Sequence, residues 1–70
     1  MFVYNKLRGR IVEKYGSLEA FAAAVGISNV SMSKKFNNKM GISREEIVKW
    51  SEMLDISNDD IGAYFFTREV

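Results

Sequence analysis

Signals that end one helix and begin the next recur along this chain at short intervals, which limits it to helices of about two to three turns. Gly16 is followed directly by Ser17, and Gly26 is followed two residues later by Ser28. Glycine ends helices because it adopts the left-handed conformation, and serine begins them because its hydroxyl accepts a hydrogen bond from a free backbone N–H. The sequence has no proline and no useful run of alternating apolar residues. We therefore predict a compact all-α domain of five helices.

The spacing of apolar residues places these helices between the signals. They are predicted at about residues 5–15, 18–25 and 29–37, after the SREE capping box that begins at Ser43, and after Ser57 or Asn58. In the first helix Leu7, Ile11 and Tyr15 lie four residues apart and form one apolar stripe. Short connections and the lack of a linker predict one domain over residues 1–70.

The residue types present exclude several classes of site. The sequence contains neither cysteine nor histidine, which excludes a disulfide framework and a thiolate or imidazole metal site. It has no phosphate-binding glycine loop and no recognisable inward pair of carboxylates, so we expect neither an enzyme nor a cofactor. The longest apolar run, Ala20–Val25, is too short to span a membrane, and the N-terminus lacks the features of a signal peptide. We expect a cytoplasmic protein without a membrane partner.

The charged residues are divided unevenly along the chain. Residues 1–41 contain seven basic and two acidic residues, for a net charge of +5, whereas residues 42–70 contain three basic and seven acidic residues, for a net charge of −4. Such asymmetry is typical of a protein with one face for a polyanion and another face for solvent or a partner. Chance asymmetry between two solvated faces is the alternative interpretation.

The third predicted helix has an unusual polar composition. No acidic residue occurs between Val25 and Lys39, and only the three residues GIS connect this helix to the preceding one. A connection this short turns two helices sharply across each other, and the alanines of the preceding segment allow close approach. Met32 and Phe36, four residues apart, are expected to face inward.

The outward side of this helix has the chemistry of a surface that reads DNA bases. Asparagine forms paired hydrogen bonds with adenine, lysine reaches guanine, and valine contacts the thymine methyl group. The predicted base-reading residues are Ser28, Asn29, Val30, Ser33 and Lys34. Donors at the ends and flanks of the helix are placed to contact phosphates, namely Ser31, Lys35, Asn37 and Lys39. A solvated helix face without a ligand is the alternative.

The segments SLEAFAAAVGISNVSMSKKFNNK and ISREEIVKWSEMLDISNDDI together resemble the Cro/repressor-type (XRE-like) helix-turn-helix family, and most of all its short phage-encoded, Cro-like members. The resemblance implies a lambda-repressor-like fold with its helix-turn-helix at about residues 17–37. It also implies a third helix in the major groove, Ser17 on a phosphate, and a dimer on a pseudo-palindromic double-stranded DNA operator. Lys35 stands where the family usually has an apolar residue, so either Lys34 or Lys35 is the base reader.

The C-terminal segment, residues 64–70, contains more aromatic residues than one helix can bury. Tyr64, Phe65 and Phe66 cannot all face inward, and large exposed apolar side chains often mark an interface. We therefore predict a homodimer that uses these three residues. The alternative is that Phe66 folds back on the first helix and completes the core of a monomer.

These observations favour a sequence-specific DNA-binding transcriptional regulator, most simply a small repressor. The alternative is a protein-interaction module of the same fold, an antirepressor-type partner of another regulatory protein that binds DNA only weakly. Low net charge, the acidic second half and the surplus aromatic residue favour this alternative.

Overall fold

Five α-helices form in the computed structural model, which describes residues 1–68, and the predicted all-α fold class is confirmed. The helices are α1 (Asn5–Tyr15), α2 (Leu18–Val25), α3 (Asn29–Phe36), α4 (Arg44–Met53) and α5 (Ile61–Phe65). The radius of gyration, 11.1 Å, equals the value of about 11 Å expected for a compact chain of this length. Within residues 1–68 the chain forms no β-strand, and its only β-type pairing is a single bridge between Phe2 and Arg68.

Helices α2, α3 and α4 begin at the predicted serines. The Ser17 hydroxyl accepts a hydrogen bond from the Ala20 N–H at 3.1 Å, and Ser28 caps α3 in the same way. Ser43 and Glu46 form the complete capping box, in which each side chain accepts a hydrogen bond from the other residue's backbone N–H. These bonds satisfy N–H groups that have no partner within the helix, so each helix start is determined locally.

The fifth helix differs from its prediction at its start. Ser57 does not cap an α-helix; it precedes a 3₁₀ turn over Asn58–Asp60, and its hydroxyl donates to the Asp60 carboxylate at 3.1 Å. Only after this turn does α5 begin, and it has five residues. The hydrogen bonds of a 3₁₀ turn join residues three apart instead of four, and such tight turns are common at the ends of α-helices.

The core is built around Trp50 of α4, which is fully buried. Its ring lies edge-on to Phe21 of α2 at 5.3 Å between centroids and is stacked on Phe36 of α3 at 6.4 Å. Phe65 of α5 packs on it from a third direction at 6.4 Å. The remaining buried apolar residues surround this group: Leu7, Ile11, Ala22, Met32, Leu54, Ile56 and Tyr64. The inward residues predicted for α1 and α3 therefore belong to one core.

The N-terminal segment is joined to the C-terminal end of the described chain and to the residues that follow α3. The Val3 N–H donates to the Thr67 carbonyl at 2.7 Å, beside the Phe2–Arg68 bridge. Asn38 adopts a left-handed conformation with φ of 59°. Its side chain accepts from the Phe2 N–H at 3.0 Å and donates to the Phe2 carbonyl at 2.8 Å. One amide thus holds the N-terminal segment in place.

Among residues 1–68, no helix is long and apolar enough to cross a lipid bilayer.

We predict that Asn38→Gly and Asn38→Ala both lower the free energy of unfolding, and that alanine lowers it by about 1 kcal/mol more. Both variants lose the two hydrogen bonds to Phe2, but only glycine tolerates the left-handed backbone without a steric penalty. Urea unfolding followed by circular dichroism measures the difference. Equal stability of the two variants would contradict the conformational part of this explanation.

Candidate functional site

The connection between α2 and α3 is a tight turn. Gly26 has φ of 94° and ψ of 27°, and its N–H donates to the Ala22 carbonyl at 2.8 Å. The Ile27 N–H donates to the same carbonyl at 3.1 Å. A non-glycine residue would be strained at this positive φ. Because the turn is so short, α3 follows α2 directly and presents its first turn at the protein surface.

The outer side of α3 carries all of the predicted base-reading residues in exposed positions: Ser28, Asn29, Val30, Ser33 and Lys34. Four of them line a shallow surface depression of about 370 Å³ together with Asn37 and Lys39. We call these six residues the α3 face: Asn29, Val30, Ser33, Lys34, Asn37 and Lys39. Val30 is 64% exposed, so the α3 face has an apolar side chain among amides, a hydroxyl and two ammonium groups.

The structure corrects the prediction for Lys35. This side chain does not face a phosphate; the residue is only 6% exposed and lies in the protein interior. Its ammonium group donates to the Gly41 carbonyl at 3.0 Å and to the Glu46 carboxylate at 2.9 Å. The ion pair allows a lysine to occupy an inward position because the buried charge is neutralised. Of the two lysines left open by the sequence, Lys34 is the one that faces outward.

Glu46 is held by two groups at once. Burial alone raises the pKa of Glu46, but the hydrogen bonds from Lys35 and from the Ser43 N–H outweigh it, and the pKa lies below its ordinary value. The same carboxylate oxygen accepts both bonds. The capping box of α4 thus also fixes the last turn of α3, and with it the orientation of the α3 face.

The two serines predicted to contact phosphates already take part in helix starts. Ser17 is exposed and caps α2, and Ser31 is half-buried with its hydroxyl 3.1 Å from that of Ser28. Both hydroxyls lie at helix N-termini, where backbone N–H groups and the helix dipole attract anions.

Glu19 is a site residue that sequence reasoning did not select, and it shares a cleft with Arg8. With Leu18, Asn29, Met32 and Ser33 they line a cleft of about 280 Å³ between α1, α2 and α3. The Arg8 guanidinium lies over the Phe36 ring, 5.3 Å from its centroid. No local pattern reveals this cleft, because its residues come from three helices whose packing brings them together.

The structure also revises the predicted dimer residues. Tyr64 and Phe65 are buried in the core of their own chain, and the Tyr64 hydroxyl accepts a hydrogen bond from Arg10 at 2.9 Å. Neither is accessible to a second subunit. Phe66 is half exposed and contacts Phe2 edge-on at 5.9 Å, so it packs on the N-terminal segment. The last two residues of the predicted segment, 69 and 70, lie outside the described residues.

Within the part of the chain that the structure describes, no group of three or more histidine, cysteine, aspartate or glutamate residues is arranged to hold a metal ion. The site therefore offers hydrogen bonds, two exposed lysines and apolar contacts.

Comparisons with known proteins identify one family and one solved structure that are similar to this chain. The family model described as "Protein of unknown function (DUF739)" matches residues 1–68. The solution structure of the modulator of repression (MOR) of the temperate bacteriophage TP901-1 from Lactococcus lactis is 38% identical in sequence and superimposes with a TM-score of 0.83. The match covers 93% of this chain and 88% of that one. None of the curated proteins compared with the chain matches it.

We predict that Glu46→Gln lowers the free energy of unfolding at neutral pH by about 2 kcal/mol, because the buried ammonium group of Lys35 loses its charged partner. Glu45→Gln is the control, since Glu45 is an exposed neighbour in the same helical turn.

The pH dependence follows from the lowered pKa of Glu46. The ionised carboxylate of Glu46 stabilises the fold fully above the pKa of an unfolded glutamate, about 4.3. This stabilisation is lost as the pH falls through the lower pKa that Glu46 has in the folded state. Thermal unfolding should therefore show the difference between wild type and Glu46→Gln at pH 7 and a smaller difference below pH 4. A difference that stays constant with pH would contradict this explanation.

Proposed function

This chain belongs to the DUF739 family, and we propose that it is a regulatory protein of phage type that acts by binding another regulatory protein through the α3 face. The partner in this proposal is a repressor, and the protein modulates repression without catalysing a reaction. The residues proposed to contact the partner are Asn29, Val30, Ser33 and Lys34, with Asn37 and Lys39 at the edge.

The chemistry of the α3 face is the observation that carries this proposal. Surfaces that bind the DNA backbone collect lysine and arginine, because each phosphate contact requires a cation. The α3 face has only Lys34 and Lys39, and Lys35 is turned inward to Glu46. Protein interfaces, in contrast, commonly place an apolar residue at the centre and polar groups at the rim. Val30 among its polar neighbours fits that description.

The similarity to the TP901-1 protein supports the same role. That protein is a modulator of repression, and the likeness extends over nearly the full length of both chains. At 38% identity with a TM-score of 0.83, the two proteins share the fold. A protein that modulates repression has a repressor or its operator as the simplest target, and the weakly basic α3 face favours the repressor.

A second candidate is direct reading of DNA by a member of the Cro/repressor-type helix-turn-helix family. The observation in its favour is the short α2–α3 turn followed by exposed amide and amine donors on α3. In this role Asn29 and Lys34 would contact bases in a pseudo-palindromic operator. Asn29→Ala and Lys34→Ala would then each weaken binding to a specific duplex by about 1–3 kcal/mol.

A homodimer is a separate proposal. Phe66 and Met40 are 50% and 40% exposed and line a cleft together with Phe2 and Tyr4 of the N-terminal segment. An apolar surface of this kind favours association. Sedimentation equilibrium at tens of micromolar protein tests it, and a single monomeric species would exclude the homodimer.

We predict that Val30→Ala weakens binding to the repressor encoded in the same genome by about 1–2 kcal/mol, because the variant removes two carbon atoms from the apolar side chain of the α3 face and each buried CH₂ contributes about 0.8 kcal/mol. Val48→Ala is the matched control, since Val48 is an exposed valine on α4 with 52% of its surface accessible. Isothermal titration calorimetry with the purified repressor measures both affinities.

The proposal fails if the wild-type protein does not bind the repressor. If a selection from random duplexes then yields an enriched DNA motif, that result would establish the DNA-reading candidate in its place.

A further inference from the structure

The cleft beside the α3 face is lined by two side chains of opposite charge and by apolar side chains. The charged residues are Arg8 of α1 and Glu19 of α2, and both are exposed. Of the apolar residues, Met32 is buried and Leu18 is half-buried. Asn29 and Ser33 belong both to this cleft and to the α3 face, so the two surfaces are continuous.

The size of the cleft fits side chains better than a small molecule. Its volume is about 280 Å³, which is below the range of about 300–1,000 Å³ typical of pockets for cofactors and drug-sized ligands. A cleft of this size between helices accepts one or two side chains of a docked protein element.

The charges of Arg8 and Glu19 are both available to a partner. In residues 1–68 the ion pairs are Lys14–Asp55 and Lys35–Glu46, so Arg8 and Glu19 do not neutralise each other. The guanidinium of Arg8 is held over the ring of Phe36, and Glu19 lies in the first turn of α2, where the helix dipole favours a negative charge. The two charges therefore belong to different helices, and that of Arg8 is held in place by an aromatic ring.

We propose that this cleft receives an apolar side chain from an amphipathic helix of the partner repressor, flanked by an acidic residue that pairs with Arg8 and a basic residue that pairs with Glu19. The inference rests on the proposed function and specifies the chemistry of the partner. The apolar side chain contacts Leu18 and Met32, and the two ion pairs fix the direction in which the helix lies.

The position of Glu19 distinguishes a protein from a nucleic acid as the occupant. In a helix-turn-helix complex the helix before the recognition helix crosses the DNA backbone. A carboxylate in the first turn of that helix would then face a phosphate, which is repulsive. Toward a protein with a basic residue the same carboxylate is attractive. A variant that reverses the charge of Glu19 must therefore strengthen binding to DNA and weaken binding to a protein with a basic residue at this place.

The test uses Glu19→Lys and Arg8→Glu in the full chain, with the purified repressor from the same genome as the probe. We expect each variant to lower the affinity for the repressor by at least about tenfold at low salt, because like charges then face each other. The loss should shrink at about 1 M salt, where the Debye length falls to about 3 Å.

Glu45→Lys and Arg44→Glu are matched controls. Glu45 is the second residue of α4 and Glu19 is the second residue of α2, and each helix is capped by a serine. The two charge reversals therefore affect a helix dipole equally. Arg44 is exposed, as Arg8 is. Neither control lines the cleft, and both should bind the repressor like the wild type. Circular dichroism establishes that all four variants are folded.

The outcomes separate this proposal from the function on which it rests. If Glu19→Lys and Arg8→Glu bind like the wild type while Val30→Ala is impaired, the cleft proposal is overturned and the proposed function stands. If the wild-type protein does not bind the repressor, both are overturned. If Glu19→Lys instead gains affinity for duplex DNA and keeps its affinity for the repressor, the cleft faces nucleic acid and the proposal is overturned.

Discussion

The packing around Trp50 is the interaction on which the rest of the structure depends. A single side chain of α4 contacts aromatic rings from α2, α3 and α5, so these helices share one centre. In a chain of 70 residues without cysteine, no disulfide is available to replace such a contact. Aromatic residues bury more area than any other side chain, which is why four of them suffice to organise a domain of this size. The position of α3 follows directly from the stacking of Phe36 on Trp50.

The ion pair between Lys35 and Glu46 then fixes how α3 is rotated about its own axis. An inward lysine at the end of this helix is acceptable only because a carboxylate and a carbonyl oxygen lie within hydrogen-bond distance. One result is that the protein surface loses a positive charge that the sequence places beside the α3 face. The element that stabilises the fold thus also reduces the attraction of this face for a polyanion, which is the basis for proposing a protein partner.

Two helices joined by a short turn, with the start of the second one exposed, can bind either DNA or a protein. Both ligands would contact the same outward side chains. The charge around those side chains distinguishes a surface that binds DNA from one that binds a protein. Here the α3 face carries two lysines and an exposed valine, and an acidic residue lines the adjoining cleft. A single carboxylate, that of Glu19, is therefore informative about function although it lies outside the helix that carries the candidate contacts.

The sequence by itself determined the features that depend on near neighbours. Helix starts at Ser17, Ser28 and Ser43 and the turn at Gly26 could be predicted, because each depends on hydrogen bonds or backbone conformation within a few residues. Periodicity identified the inward residues of α1 and α3 for the same reason. Only the tertiary structure decided that Lys35 is buried, that Tyr64 and Phe65 belong to the core, and that Arg8 and Glu19 line one cleft. These facts depend on contacts between residues far apart in the chain, and no local pattern encodes such contacts.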